Sequence, residues 1–162
     1  MNIEAQFEEK FASLGSGGPI TVTLDAEPRH LTCRLAERSP LAVSFDEVRL
    51  ASDELATASV TELQQLCEAI SARLTYLLEP IAPIESDQQE CVVQMRSSPP
   101  QQDDDGRNYY ELLVRRGGEL YLARYRKEPG DARLQIAATV TGEVLVRLIG
   151  DLNAVLDEFV AA

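Results

Sequence analysis

The sequence predicts an α+β fold: a mostly antiparallel sheet of about seven strands with three helices, in the order α-βββ-α-ββββ-α. Short stretches with an apolar residue at every second position fall in two groups, within residues 20–45 and 91–138. Apolar stripes at helical spacing precede, separate and follow these groups. The length of 162 residues and an apolar fraction of 44% suit one domain spanning 1–162.

Ile3, Phe7, Phe11 and Leu14 form the first helical stripe, and Gly15, Gly17 and Gly18 end it. A three-strand meander follows. Ile20, Val22 and Leu24, then Leu31, Cys33 and Leu35, then Leu41, Val43 and Phe45 alternate with small or polar residues. One register aligns Leu24/Leu31/Phe45, Val22/Cys33/Val43 and Ile20/Leu35/Leu41 on a single face. Ser59 and Glu62 have the spacing of a capping box, and Leu63, Leu66, Cys67, Ile70, Leu74, Leu77 and Leu78 continue as one long helix that Pro80 stops. Residues 81–90, with Pro83 and a polar run, read as a connector between 1–80 and 91–162.

In the second half, Gly117-Gly118 reads as a two-residue hairpin turn. That turn pairs Tyr110 with Tyr125, Leu112 with Ala123 and Val114 with Tyr121, and puts all six on the core face. Cys91, Val93 and Met95 fit on one side of this hairpin, and Leu134, Ile136 and Ala138 on the other. Thr141 then caps a final helix with the stripe Leu145, Leu148, Ile149, Leu152, Leu156, Phe159 and Val160.

The net charge of −12 makes the chain a poor nucleic-acid ligand, since neutralising phosphate needs cations. No apolar run approaches the ~20 residues of a membrane span, and the acidic start lacks the pattern of a secretory signal. Three dispersed cysteines point to reduced thiols and a cytoplasmic location. His30 and Cys33 imitate half a metal site, but Cys67 and Cys91 fall in other elements. Gln101, Asp103, Asp105 and Gly106 imitate a calcium loop that has Leu112 where a bidentate glutamate belongs. The expectation is therefore no metal, no cofactor and no catalytic residue.

Charge is unevenly spread. Residues 107–133 hold seven basic and four acidic side chains, against seven and nineteen in residues 1–106. The two-residue turn places Val92, Leu113, Leu122 and Ala137 in one outward row, with Gln94, Glu111, Arg124 and Gln135 beside it, then Arg96, Tyr109, Arg126 and Arg133. An apolar strip of Val92, Leu113 and Leu122 edged by Arg96, Tyr109, Arg126 and Arg133 is a candidate surface for a protein or peptide partner. The alternative is a small-molecule or enzyme site in a pocket between sheet and helices.

The order of elements, the stripe of Phe7, Phe11 and Leu14, the two long apolar stripes and the acidic balance resemble the class I type III secretion chaperones. That resemblance implies a small cytosolic protein, a homodimer, and binding of extended segments of secreted proteins. The family has two strands in its second half, where four are read here.

Overall fold

The computed structural model describes residues 2–162. Helix α1 (Ile3–Ala12) starts at Asn2, whose side chain accepts from the Ala5 amide, and buries Ile3, Phe7 and Phe11. Strands β1 (Ile20–Ala26), β2 (Arg29–Arg38) and β3 (Val43–Ser52) form the meander. The capping box at Ser59 and Glu62 opens α2 (Val60–Arg73), with both bonds at 3.1 Å. Then come β4 (Ile81–Asp87), β5 (Val92–Ser97), the two-residue β6 (Gln101–Gln102), β7 (Arg107–Arg115) and β8 (Glu119–Lys127). Short strands β9 (Leu134–Ile136) and β10 (Ala138–Val140) lead into α3 (Gly142–Ala161). The described strands form one antiparallel sheet in the order β1-β2-β3-β8-β7-β5-β4, with β6, β9 and β10 as side pairings.

The predicted register of β1 and β2 is the observed one, with Ile20 opposite Leu35 and Leu24 opposite Leu31. The third strand needs correction. It begins at Val43, runs ten residues, and places Leu50, not Phe45, opposite Leu31. A tight turn over 39–42, closed by the Ser39 amide on the Ala42 carbonyl at 2.9 Å, leaves Leu41 88% exposed. Two register shifts, one on each strand, restore the parity, so Val43 and Phe45 still face the core together with Val48 and Leu50.

The second helix ends at Arg73; Leu74 and Leu77 remain buried beyond it, but Leu78 lies exposed. Residues 81–87, expected as connector, are the edge strand β4 paired with β5. All of β4 after Ile81 is exposed, so it carries no in–out alternation by which a sequence reading finds a strand. Helix α1 packs on β1 and β2, α2 on β4, β5 and β7, and α3 on β3, with α3 touching both other helices. Their apolar stripes share one core with the inward residues of the sheet. Among the described residues, no helix packs on the opposite face of the central strands.

Candidate functional site: the outer face of the sheet

The side chains on that outer face are set by the β7–β8 turn. Arg115 pairs with Glu119, so the loop is Arg116-Gly117-Gly118, three residues rather than two. It closes through the Gly118 amide on the Arg115 carbonyl at 3.0 Å. Gly118 has φ +107°, and a Cβ there would sit 2.9 Å from the Ser52 carbonyl oxygen. The extra residue shifts β8 by one and exchanges its faces. Tyr110 now opposes Arg124, Leu112 opposes Leu122 and Val114 opposes Leu120. The expectation that Tyr121, Ala123 and Tyr125 face the core is therefore corrected: Tyr110 points inward as predicted, whereas Tyr121 and Tyr125 lie on the outer face.

The flip draws Arg124 into the interior, although the predicted pairing set it opposite Glu111. It meets Glu79 at 3.2 Å, with both side chains buried, and its guanidinium lies 4.5 Å from the Tyr110 ring centroid. Ser97 Oγ donates to Glu79 at 2.7 Å and accepts from the Tyr110 amide at 2.7 Å. The buried charges are thus paired and hydrogen-bonded, which burial of ions requires.

Outside, Glu111 is the hub. Although it has no helix above it, it is only 3% exposed, because the side chains around it fold over it. Arg133 grips both its oxygens, one at 3.1 Å; Gln94 donates at 2.9 Å and Arg96 at 3.4 Å. Burial alone would raise the Glu111 pKa, but hydrogen bonds from Arg133 and Gln94 and the positive charges outweigh it, and the net shift is downward. The same guanidinia stack on tyrosines: Arg96 on Tyr109 at 4.6 Å and Arg133 on Tyr125 at 3.9 Å, with the two rings 6.1 Å apart. A second hub is Glu47, reached by Arg34 at 3.6 Å and Arg49 at 3.5 Å, with Arg49 over Tyr121 at 4.9 Å. Burial, then the hydrogen bond to Glu47, pushes the Tyr121 phenol up to about 12. Each of the chain's five tyrosines carries a guanidinium over its ring, Tyr76 from Arg147.

Of the predicted surface residues, Arg96, Tyr109 and Arg133 come together around a cleft of about 510 Å³. Val92 and Leu113 are half-buried on the same face: Leu113 stands between Gln94 and Tyr121, while Val92 lies nearer the turn, opposite Arg115. Leu122 is not part of the strip; the register shift buries it completely in the core. Arg126 alternates onto the same side of β8 as Arg124 and pairs with Asp103 at 3.0 Å and Glu128 at 3.2 Å. Sequence reading missed Tyr125 and Tyr121, whose parity it inverted. Ile84 also escapes it, because its place depends on the unforeseen edge strand; Arg107 and Lys127 belong to the basic segment, and the structure sets both at the cleft.

The remaining motifs resolve simply. Leu31, Cys33 and Leu35 face the core, so alternation turns His30 to the other side of β2, where it bonds Asp25 at 2.7 Å. The Asp103 carboxylate caps the amides of Asp105 and Gly106 at 2.9 Å each while pairing with Arg126. Among the described residues no His/Cys/Asp/Glu cluster could hold a metal ion. All three cysteines are free and buried, and burial pushes the Cys33 and Cys67 thiols up to about 12. The chain matches no family model, no curated protein and no solved structure.

Proposed function

We propose that the protein is a non-enzymatic binding module, chaperone-like in its mode of action, whose outer sheet face docks a protein or peptide partner. The observation that carries this is the one-sided packing of the sheet, which leaves Val92, Leu113, Tyr121 and Tyr125 half-buried with no helix over them among the described residues. Amphipathic tyrosines and arginines around a small apolar centre are the composition that protein interfaces favour. The free thiols suit a reducing, cytoplasmic setting, and assembly as a homodimer belongs to the same proposal.

Site-specific photocrosslinking in the native host tests the docking face. A crosslinker at Leu113 should capture a discrete protein, whereas one at exposed Val160 on α3 should not. Equal capture at both positions, or capture at Val160 alone, would overturn the proposal. A monomeric mass by light scattering at micromolar concentration would overturn the homodimer.

A further inference from the structure

We infer that the cleft beside β4 receives acidic side chains of an extended partner segment, and that Glu111 is the built-in counter-ion setting how tightly they bind. This rests on the protein-binding reading above. The cleft has Tyr109 in its lining, Arg96 and Arg133 beside it, Arg107 and Lys127 around it, and the half-exposed Ile84 as an apolar lip. Four cations therefore meet one space, and a single carboxylate, Glu111, binds two of them.

The cations are incompletely satisfied. Arg96 Nε is buried and has no hydrogen-bond partner. Arg107 is exposed and has no ion pair among the described residues, and Lys127 donates only to the main-chain carbonyls of Glu128 and Asp131. An arriving carboxylate supplies the exposed Arg107 guanidinium with an acceptor and an opposite charge. An excess of positive charge on a chain of net −12 selects a local anion rather than a long one. Asp103 and Asp104 lie just beyond Arg107 and Lys127, in the neighbouring cleft, where they would repel a continuing phosphate backbone.

The partner meets the face rather than extending the sheet. Pro83, the register shift between Pro83 and Glu85, and the charges of Glu85 and Asp87 blunt the β4 edge against strand addition. Glu111 competes with the incoming carboxylate for Arg96 and Arg133, which it holds against Tyr109 and Tyr125.

Fluorescence anisotropy with the full chain tests this, using a labelled eight-residue peptide that alternates glutamate with leucine. The glutamine counterpart and a short oligothymidylate serve as comparisons. The acidic peptide should bind, weaken about tenfold when its glutamates become glutamines, and weaken again as salt rises. Arg107→Glu reverses an unpaired exposed charge without touching the core and should weaken binding about tenfold. Glu111→Gln should tighten it, with the urea midpoint of each variant reporting its fold. Equal binding of the two peptides, tighter binding of the oligonucleotide, or indifference to both substitutions would overturn the inference. Should the peptide fail while Leu113 still captures a partner, the acidic-segment inference falls and the docking face stands; failure of both removes the docking face too.

Discussion

The Glu79–Arg124 pair lends itself to a double-mutant cycle whose outcome follows from its burial. The Glu79 and Arg124 side chains are 1% and 7% exposed, and beyond each other they have one further hydrogen bond, from Ser97 to Glu79, and one stacked ring, Tyr110 under Arg124. Arg124→Met leaves the Glu79 carboxylate in the core with Ser97 as its remaining partner, and Glu79→Leu strands the guanidinium. Each should cost about 3–5 kcal/mol, the range for breaking a buried pair from one side. Against an ordinary domain stability of roughly 5–15 kcal/mol, that is a large share. The double variant removes both charges and fills the space with apolar atoms, so it should lie within about 1–2 kcal/mol of wild type. Urea unfolding followed by far-ultraviolet circular dichroism at neutral pH measures all four proteins. If the single losses stay below about 1 kcal/mol and simply add in the double, the two groups are not coupled and the inward placement of Arg124 is refuted.

Three further outcomes follow from the geometry. Gly118→Ala should destabilise by about 1–2 kcal/mol or more, because its positive φ disfavours a side chain and the Cβ would press on the Ser52 carbonyl; an unchanged urea midpoint would contradict the three-residue turn. Cys33, Cys67 and Cys91 should resist a thiol reagent in the native protein and react at the rate of unfolding, so rapid labelling at neutral pH would count against their burial. Glu111, whose folded pKa lies below the ordinary glutamate value of 4.5, contributes stability that is complete above that value and lost as pH falls through its folded pKa. Wild type should therefore lose its stability advantage over Glu111→Gln on acidification below about pH 4.5, whereas a constant difference from neutral to acid pH would refute the pairing.

Helix positions and the β1–β2 register were legible because Ile20 to Leu35 offer a single apolar parity, and a slip would expose it. In β8 both parities are attractive: Leu120 and Leu122 on one, Tyr121, Ala123 and Tyr125 on the other. Hydrophobic alternation cannot choose between them, so the decision passes to the turn. There Arg116-Gly117-Gly118 fits either a two- or a three-residue loop, and the structure takes the longer one, with a positive φ at Gly118 and the Ser52 carbonyl lying where a Cβ would stand. Edge strand β4 was illegible for the opposite reason, since neither face of it is buried beyond Ile81. The cationic character of residues 107–133 could be counted, but the one-residue error at the β7–β8 turn dispersed the arginines: Arg124 went inward, Arg126 joined Asp103, and of the four arginines foreseen on the outer face Arg96 and Arg133 stayed beside Tyr109.

The sequence contains no tryptophan, so its near-ultraviolet signal comes mainly from five phenol rings, each with a cation stacked against it. Three of those rings, Tyr109, Tyr121 and Tyr125, stand on the uncovered side of the sheet. Anything that lifts Arg96, Arg49 or Arg133 away changes the asymmetric surroundings of a chromophore the molecule already owns. Occupancy of this surface is thereby written into the protein's own optical spectrum, readable without a label.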